Sequence, residues 1–272
     1  MLKTLRISIS LMLLIAMSYL GYITYHHSTI YEATTEEIAK ACDADGLASE
    51  RIDQFTSIIS LGLLKNESKI ALDTLREAQL KAKKLAHRYL YYYMGVLILL
   101  ILFSFLCSLR AGAIILSFST LISLIYGLIN PILMVTIHKQ VDYLGDIILS
   151  FESKGIIGSI SKLHESGELA VAFTILLFSI LLPMVKSLTL IFMLIVYDKE
   201  WNHKVIEFFK QIGKWSMIDV FVVATFLVYF TSNTGGVSHA EIEVGLYFFL
   251  AYVILSMITA IQTHKVLAVG DS

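Results

Sequence analysis

The sequence predicts an all-α fold: a polytopic membrane helical bundle of about six transmembrane helices, with a helical segment outside the membrane. The chain is 57% hydrophobic and only 16% charged, with a mean hydropathy of +0.75, whereas soluble domains carry about 25% charged residues. Its apolar runs are also long enough to cross a hydrocarbon layer, which takes about 20 helical residues. These runs lack the alternating polarity of barrel strands, so helices are the expected spanning elements.

Six apolar runs supply the predicted spans. Five contain no Asp, Glu, Lys, Arg or His, and the remaining run is interrupted only by Lys186. The runs are 7–25, 89–109, 111–137, 169–197, 220–237 and 244–263. Lys3 and Arg6 precede the first run, as they would in a secretory signal. Because the run is long and no Ala-x-Ala-like site follows it, we expect an uncleaved anchor.

Charge placement predicts that both termini are cytoplasmic. The segment between the fourth and fifth runs contains Lys199, Lys204, Lys210 and Lys214, whereas the 238–243 loop has no Lys or Arg. Short basic loops stay on the cytoplasmic side. The basic residues within 26–88 do not oppose this orientation, because loops of that length translocate with little regard to charge.

The chain divides into a transmembrane helical hairpin at 1–109, a four-span unit at 111–265 and a short tail at 266–272. The hairpin includes an outer segment, about 26–88, in which apolar and small residues alternate at spacings of three and four. They are Leu61, Leu64, Ser68, Ala71, Leu75, Ala78, Ala82 and Leu85. This heptad pattern predicts one helix over 64–108. Packing against 30–60 and a homodimeric coiled coil both fit the pattern, so a homo-oligomer remains open.

Between the fourth and fifth spans, apolar residues recur at spacings of 4, 3, 4 and 3. They are Trp201, Val205, Phe208, Ile212 and Trp215. This pattern predicts a helix lying in the membrane interface, with a Trp at each end. Such a helix serves either as a simple anchor or as a lever that couples the two adjoining spans to a partner.

Both prolines fall within predicted spans: Pro131 directly follows Asn130, and Pro183 lies three residues before Lys186. A proline removes one helix hydrogen bond and displaces the carbonyl group four residues earlier. We therefore expect a kink at Asn130–Pro131 and another at Pro183.

Lys186 lies within the fourth predicted span, and the oppositely charged Asp219 lies immediately before the apolar run of the fifth, at 220–237. A cation at mid-membrane costs roughly 2.5 to 3.5 kcal/mol on insertion scales, and such residues usually face the bundle interior and pair. We predict that the two pair, although helical rise places them at different depths. Ser256 and Thr259 are expected to extend a polar network around them, unless their hydroxyl groups bond only to their own helix.

The sequence shows no soluble catalytic site, so we expect no enzyme, no cofactor and no metal centre. It has no Gly-rich phosphate loop and no nucleophile elbow, and its two cysteines are too few for a cysteine-only zinc site. The formal net charge of −1 gives no reason to expect nucleic acid as a partner.

Three motifs in the four-span unit resemble the paraquat-inducible protein A family of bacterial inner-membrane proteins. The most specific is Trp215-Ser216-Met217 followed by Ile218, Asp219, Val220 and Phe221. Asn130-Pro131 and the Pro-x-x-Lys of Pro183 and Lys186 match the family's motifs in order and spacing.

This resemblance implies a role in moving lipids between the inner and outer membranes, beside a periplasmic MCE-domain partner. It also implies that Lys186 and Asp219 match intramembrane polar residues that matter for function, with proton coupling as one role. The chain departs from well-known members in having one domain copy, no zinc ribbon and an added hairpin at 1–109.

Two other functions fit the same residues. A membrane stress sensor or scaffold would bind a signal through the outer helical segment and relay it through the bundle. A small-solute or proton-coupled transporter would use Lys186 and Asp219 as an ion path.

Overall fold

The structure is a computed structural model that describes residues 2–44, 67–141, 145–196 and 238–270. The helices are α1 Leu2–Ala44, α2 Glu67–Leu106, α3 Leu109–Ile129, α4 Ile156–Glu165, α5 Leu169–Ile175, α6 Leu182–Val196 and α7 Val244–Gly270. A π-helical segment, Leu176–Leu181, joins α5 to α6. The strands are β1 Leu133–Val141, β2 Gly145–Lys154 and β3 Ser238–Ile242.

Among the described residues, five helical stretches are long and apolar enough to span a membrane, which confirms the predicted helical membrane bundle. They are Leu5–Ile38, Thr74–Leu106, Leu109–Ile129, Leu169–Ile195 and Val244–Thr263. The predicted span at 220–237 and the predicted interfacial helix lie outside the described residues. So do Asp219 and the Trp215-Ser216-Met217 motif.

Helices α1 and α2 form an antiparallel pair, called the hairpin below. The Gln79 amide donates to Thr35 Oγ1 at 2.7 Å, and the rings of His27 and Tyr89 stack with centroids 5.6 Å apart. From Met17 onwards, the buried residues of α1 recur at spacings of three and four, as they do in coiled coils. They are Met17, Gly21, Thr24, Ser28, Tyr31, Thr35 and Ile38.

The predicted single helix over 64–108 is confirmed for Glu67–Leu106. Its buried side differs from the predicted heptad pattern, because Ala78 is exposed whereas Ala82, Ala86 and Leu90 are buried. The polar Gln79 occupies the inward position next to Ala78 because its amide finds a hydroxyl partner on α1.

The hairpin extends well beyond the helices on which its base packs. Tyr126, three residues before the end of α3, donates from its hydroxyl group to the Ser18 carbonyl at 2.8 Å. From Ser18, α1 continues to Ala44, whereas α3 ends at Ile129, so roughly 35 Å of α1 projects past α3 at 1.5 Å per residue. The end of the bundle from which it projects is called the sheet end below.

Helices α3 and α7 form the centre of the four-span unit and run antiparallel. Gly127 faces Phe249 near the sheet end, and Ala113 packs with Val266 near the opposite end. A Cβ added at Gly127 would lie 2.9 Å from the Phe249 backbone nitrogen. Glycine therefore permits this close approach, as small residues commonly do between membrane helices.

The prediction that Asn130–Pro131 kinks a span over 111–137 was wrong. Helix α3 ends at Ile129, and Asn130 is extended, with φ −81° and ψ 151°. Proline disfavours a helical conformation in the residue before it and lacks a backbone N–H group. The β-branched residues Val135, Thr136 and Ile137 then enter β1.

Beside the predicted helices, the structure contains a small antiparallel sheet with strand order β2-β1-β3. Strand β3 occupies residues expected to form a short loop, and β1 pairs with it from Leu133↔Ile242 to Ile137↔Ser238. Strand β2 packs along α1. A core of Tyr31, Ala82 and Met134 joins the sheet to both helices of the hairpin.

The helix containing Pro183 departs from regular α-helical hydrogen bonding just before the proline. The Leu182 backbone N–H group donates to the Leu177 carbonyl, five residues back, at the end of the π-helical segment. Such segments are local irregularities that often occur near functional sites.

Candidate functional site

Lys186 is buried in α6, with only 7% of its surface exposed. Eight residues farther along, Leu194 packs with Ala113 of α3 and Val266 of α7. Counting back from that contact places Lys186 about 12 Å nearer the sheet end. Its predicted partner Asp219 lies outside the described residues, so their pairing stays a prediction.

A polar cluster lies between α3 and α7 and extends to the depth of Lys186. It consists of Thr120, Ser256, Thr259, Gln262 and Thr263, all of them at most 5% exposed. The hydroxyl groups of Thr120 and Thr259 are 3.2 Å apart, and Thr120 also donates to the Leu116 carbonyl at 2.7 Å. Thr120 and Thr259 are each seven residues, or about 10 Å, from the Ala113–Val266 contact, in the direction of the sheet end.

The four α7 residues of the polar cluster share one side of that helix because their spacings of three, three and one cover about a third of a turn. Three of their buried atoms have no hydrogen-bond partner among the described residues: Ser256 Oγ, Gln262 Oε1 and Thr263 Oγ1. Leaving a buried polar group unsatisfied costs about 1 to 3 kcal/mol. The cluster therefore presents unused hydrogen-bonding capacity inside an apolar bundle.

The hairpin packs directly against the four-span unit. Tyr93 is 0% exposed, and its hydroxyl group lies 2.8 Å from Ser123 Oγ. The Tyr93 ring meets Phe248 edge to face, with centroids 4.6 Å apart. On α1, Gly21 accommodates the ring of Tyr126, which a Cβ would approach to 2.4 Å.

Arg110 lies at the end of the bundle opposite the sheet. Its Nε donates to the Leu194 carbonyl at 3.0 Å and its guanidinium to the Ile195 carbonyl at 3.3 Å. The last carbonyls of a helix lack intrahelical partners, and a cation there also complements the helix dipole. Arg110 therefore caps α6 and fixes it to the start of α3.

At the sheet end, the chain segments flanking β1 and α7 meet. Backbone N–H groups of Glu243 and Gly245 donate to the carbonyls of Ile132 and Pro131, both at 2.9 Å. A Cβ at Gly245 would lie 2.5 Å from the Pro131 carbonyl oxygen, so this contact requires glycine. The Asn130 amide donates to the Tyr126 carbonyl at 2.8 Å. Asn130 and Pro131 thus join α3 to the sheet.

Charged groups connect this junction to the hairpin. Lys83 forms an ion pair with Glu241, and the Tyr31 hydroxyl group donates to the same carboxylate at 3.4 Å. The Lys83 ammonium group also lies 5.3 Å from the centre of the Tyr31 ring. Glu243, two residues after Glu241, is 1% exposed.

Three residues of the polar cluster, Thr120, Gln262 and Thr263, were not predicted from the sequence. Each lies in an apolar run, and single hydroxyl and amide groups are common in such runs. These residues are therefore distinguished by their burial where α3 packs against α7. The sequence feature that could have identified Gln262 and Thr263 is their spacing from Ser256 and Thr259, which places all four residues on one side of a helix. Within the described ranges, no three His, Cys, Asp or Glu residues come together as metal ligands.

The chain matches the family model described as paraquat-inducible protein A over residues 111–267. It is also 26% identical over 113 residues to a Haemophilus influenzae protein named a probable intermembrane transport protein. That match covers 39% of this chain and 27% of the relative, so the chain spans about a quarter of the relative's length. No solved structure matches the chain. Because the family model covers more than half of the sequence, the chain belongs to the paraquat-inducible protein A family.

Proposed function

We propose that this chain is an inner-membrane component of a system that moves lipids between membranes, and that it acts with a periplasmic MCE-domain partner instead of catalysing a reaction. Family membership and the name of the Haemophilus influenzae relative support a transport role. The observation that carries the proposal is the buried cation Lys186 at the depth of the polar cluster.

A lipid headgroup is charged and hydrogen-bonding, so it needs polar contacts wherever it leaves the membrane surface. Lys186 supplies a cation for a phosphate group, and Ser256, Gln262 and Thr263 supply atoms without partners among the described residues. Intramembrane ionisable residues commonly mark substrate or proton pathways. A proton moving along the same groups is compatible with this role. With both termini cytoplasmic, as proposed, the hairpin and the sheet face the periplasm.

The proposal is tested by purifying the full chain from native membranes in mild detergent and identifying bound lipids and proteins by native mass spectrometry. We expect phospholipid and a protein with an MCE domain. Lys186→Met should reduce the bound phospholipid severalfold, whereas Lys84→Met, at an exposed position of α2, should leave it unchanged. Equal lipid binding by all three proteins, with no MCE-domain partner, would contradict the proposal.

A second candidate function is a membrane sensor or scaffold, which the projecting hairpin favours. A long, buried coiled-coil contact is a structure that can relay a signal from one end to the other. The same purification distinguishes the two functions, because a sensor would retain a signalling protein and bind phospholipid independently of Lys186.

A further inference from the structure

Glu243 is a carboxylic acid held almost entirely out of water at the first turn of α7. Its surface is 1% exposed, and Oε1 has no hydrogen-bond partner among the described residues. The Glu243 backbone is fixed by its bond to the Ile132 carbonyl at 2.9 Å. The residue lies outside the spanning stretch Val244–Thr263, so protons from the aqueous side can reach it when the junction opens.

Charges from the elements packed around Glu243 act in both directions. Lys83 of α2 and the Val244 backbone N–H group favour its ionised form, whereas Glu241 of β3 and Glu32 of α1 oppose it. Burial is the largest effect, and it raises the pKa of Glu243 to about 7. The charged residue of β2 that lies closest to Glu243 in strand register is Lys154. Lys154 pairs with Leu133 of β1, and Leu133 pairs with Ile242, the residue before Glu243.

The hairpin supplies charged and aromatic groups that lie near this carboxyl group. Tyr31 and Lys83 both bind Glu241, and Tyr31 and Ala82 form a core with Met134 of β1. The projecting part of the hairpin contacts β3 through one partly exposed ion pair and one hydrogen bond, in addition to its apolar contact with β1 and the packing of β2 along α1. Exposed ion pairs contribute only about 0 to 1 kcal/mol, so the polar contacts between the hairpin and β3 are weak enough to respond to a single buried charge.

We propose that Glu243 is a proton-binding site through which the pH on the sheet side of the membrane controls attachment of the projecting hairpin to the four-span unit. When Glu243 is protonated, the neutral acid stays buried beneath the hairpin. When it ionises, the desolvated carboxylate is stabilised by water, which reaches it once Tyr31 and Lys83 move away from β3.

The direction of the pH effect follows from proton linkage. The attached state binds the proton more tightly than the open state, in which the carboxyl group regains its ordinary value of 4.5. Attachment is therefore strongest below pH 4.5, weakens as the pH rises towards about 7 and changes little above that. One group changes the equilibrium by at most about ten-fold per pH unit within this window.

The test measures the distance between the hairpin and α7 in the full chain in lipid nanodiscs. Spin labels are attached to Leu80→Cys and Tyr247→Cys, positions that are 55% and 41% exposed, in a background with Cys42→Ser and Cys107→Ala. Pulsed electron paramagnetic resonance then gives the distance distribution from pH 4.5 to pH 8. We expect one short distance at low pH and a growing population of longer distances as the pH rises.

Glu243→Gln should keep the short distance at every pH because its side chain is neutral and similar in shape. Glu243→Met should behave in the same way, which preserves the test if either variant folds poorly. The matched control is Glu241→Gln, which should enlarge the long-distance population at all pH values but keep the pH trend. A wild-type distance that does not change with pH, or a pH trend that survives in Glu243→Gln, would overturn the proposal.

Discussion

The hydrogen bond between Thr120 and Thr259 is the contact through which the polar cluster joins α3 to α7. Replacing Thr259 by Val removes this bond while preserving shape, and a membrane-protein hydrogen bond of this kind is worth about 0.6 kcal/mol on average. The matched control is Thr189, which is partly exposed on α6 and donates to its own helix at the Val185 carbonyl, 2.6 Å away. Unfolding in detergent by a titrated denaturant should show a loss for Thr259→Val and almost none for Thr189→Val. Equal losses would mean that the polar cluster does not stabilise the bundle.

The second prediction about individual residues concerns Lys186 and Asp219. Breaking a buried pair by removing one partner commonly costs about 3 to 5 kcal/mol, whereas replacing both can be nearly neutral. Lys186→Met and Asp219→Asn should therefore each lower thermal stability in detergent, and the double variant should recover it. Complementation of the cell-envelope barrier should remain absent in the double variant if the pair handles headgroups or protons. Strictly additive stability losses would show that the two residues do not meet.

The close approach of α3 to α7 carries the third prediction, which concerns helix packing. A Cβ at Gly127 would lie 2.9 Å from the Phe249 backbone nitrogen, whereas one at Gly95 on α2 would meet nothing within 4 Å. Gly127→Ala should therefore separate the two helices and destabilise the chain by about 1 to 3 kcal/mol. Gly95→Ala should instead stabilise it by up to about 1 kcal/mol, because alanine favours the helical state. Thermal denaturation of both variants checks this, and equal effects would contradict the packing described for Gly127.

The helices were more predictable from sequence than the sheet, for physical reasons that particular elements illustrate. Helix α2 has strong helix formers and no proline, so both of its ends could be predicted from the sequence to within a few residues. The run at 111–137 is continuously apolar, and hydropathy alone does not distinguish a helix from a buried strand. The decisive signal was Pro131, which was interpreted as a kink although it ends α3. The β-branched residues after it were the signal for β1.

The residues of the candidate site also differ in how well they could be predicted from the sequence. Lys186 was recognisable because a charge inside an apolar run is conspicuous, and the structure buries it. Glu243 was not recognisable, because it lies just outside a span in what reads as an ordinary polar loop. Its burial depends on β1 pairing with β3 and on the hairpin covering the junction, and both are contacts between residues far apart in the chain.

At the scale of the whole molecule, the orientation is testable with single cysteines in a background lacking Cys42 and Cys107. Ile242 is 45% exposed at the sheet end, so Ile242→Cys should react with a membrane-impermeant thiol reagent added to the periplasmic side. Asn202→Cys, in the Lys-rich segment, should react only after the inner membrane is permeabilised. The reverse pattern would place the hairpin in the cytoplasm and remove a periplasmic partner from consideration.

The central claim is that phospholipid reaches the polar cluster between α3 and α7, and photo-crosslinking with a photoreactive phospholipid in nanodiscs tests it most directly. Crosslinked residues are located by mass spectrometry in the wild type, Lys186→Met and Lys84→Met. We predict crosslinks at Thr259 and Gln262 that unlabelled phospholipid competes away, that Lys186→Met abolishes and that Lys84→Met leaves intact. Crosslinks confined to lipid-facing side chains such as Phe192 and Ile261, which are 57% and 59% exposed, and equal in all three proteins would contradict it.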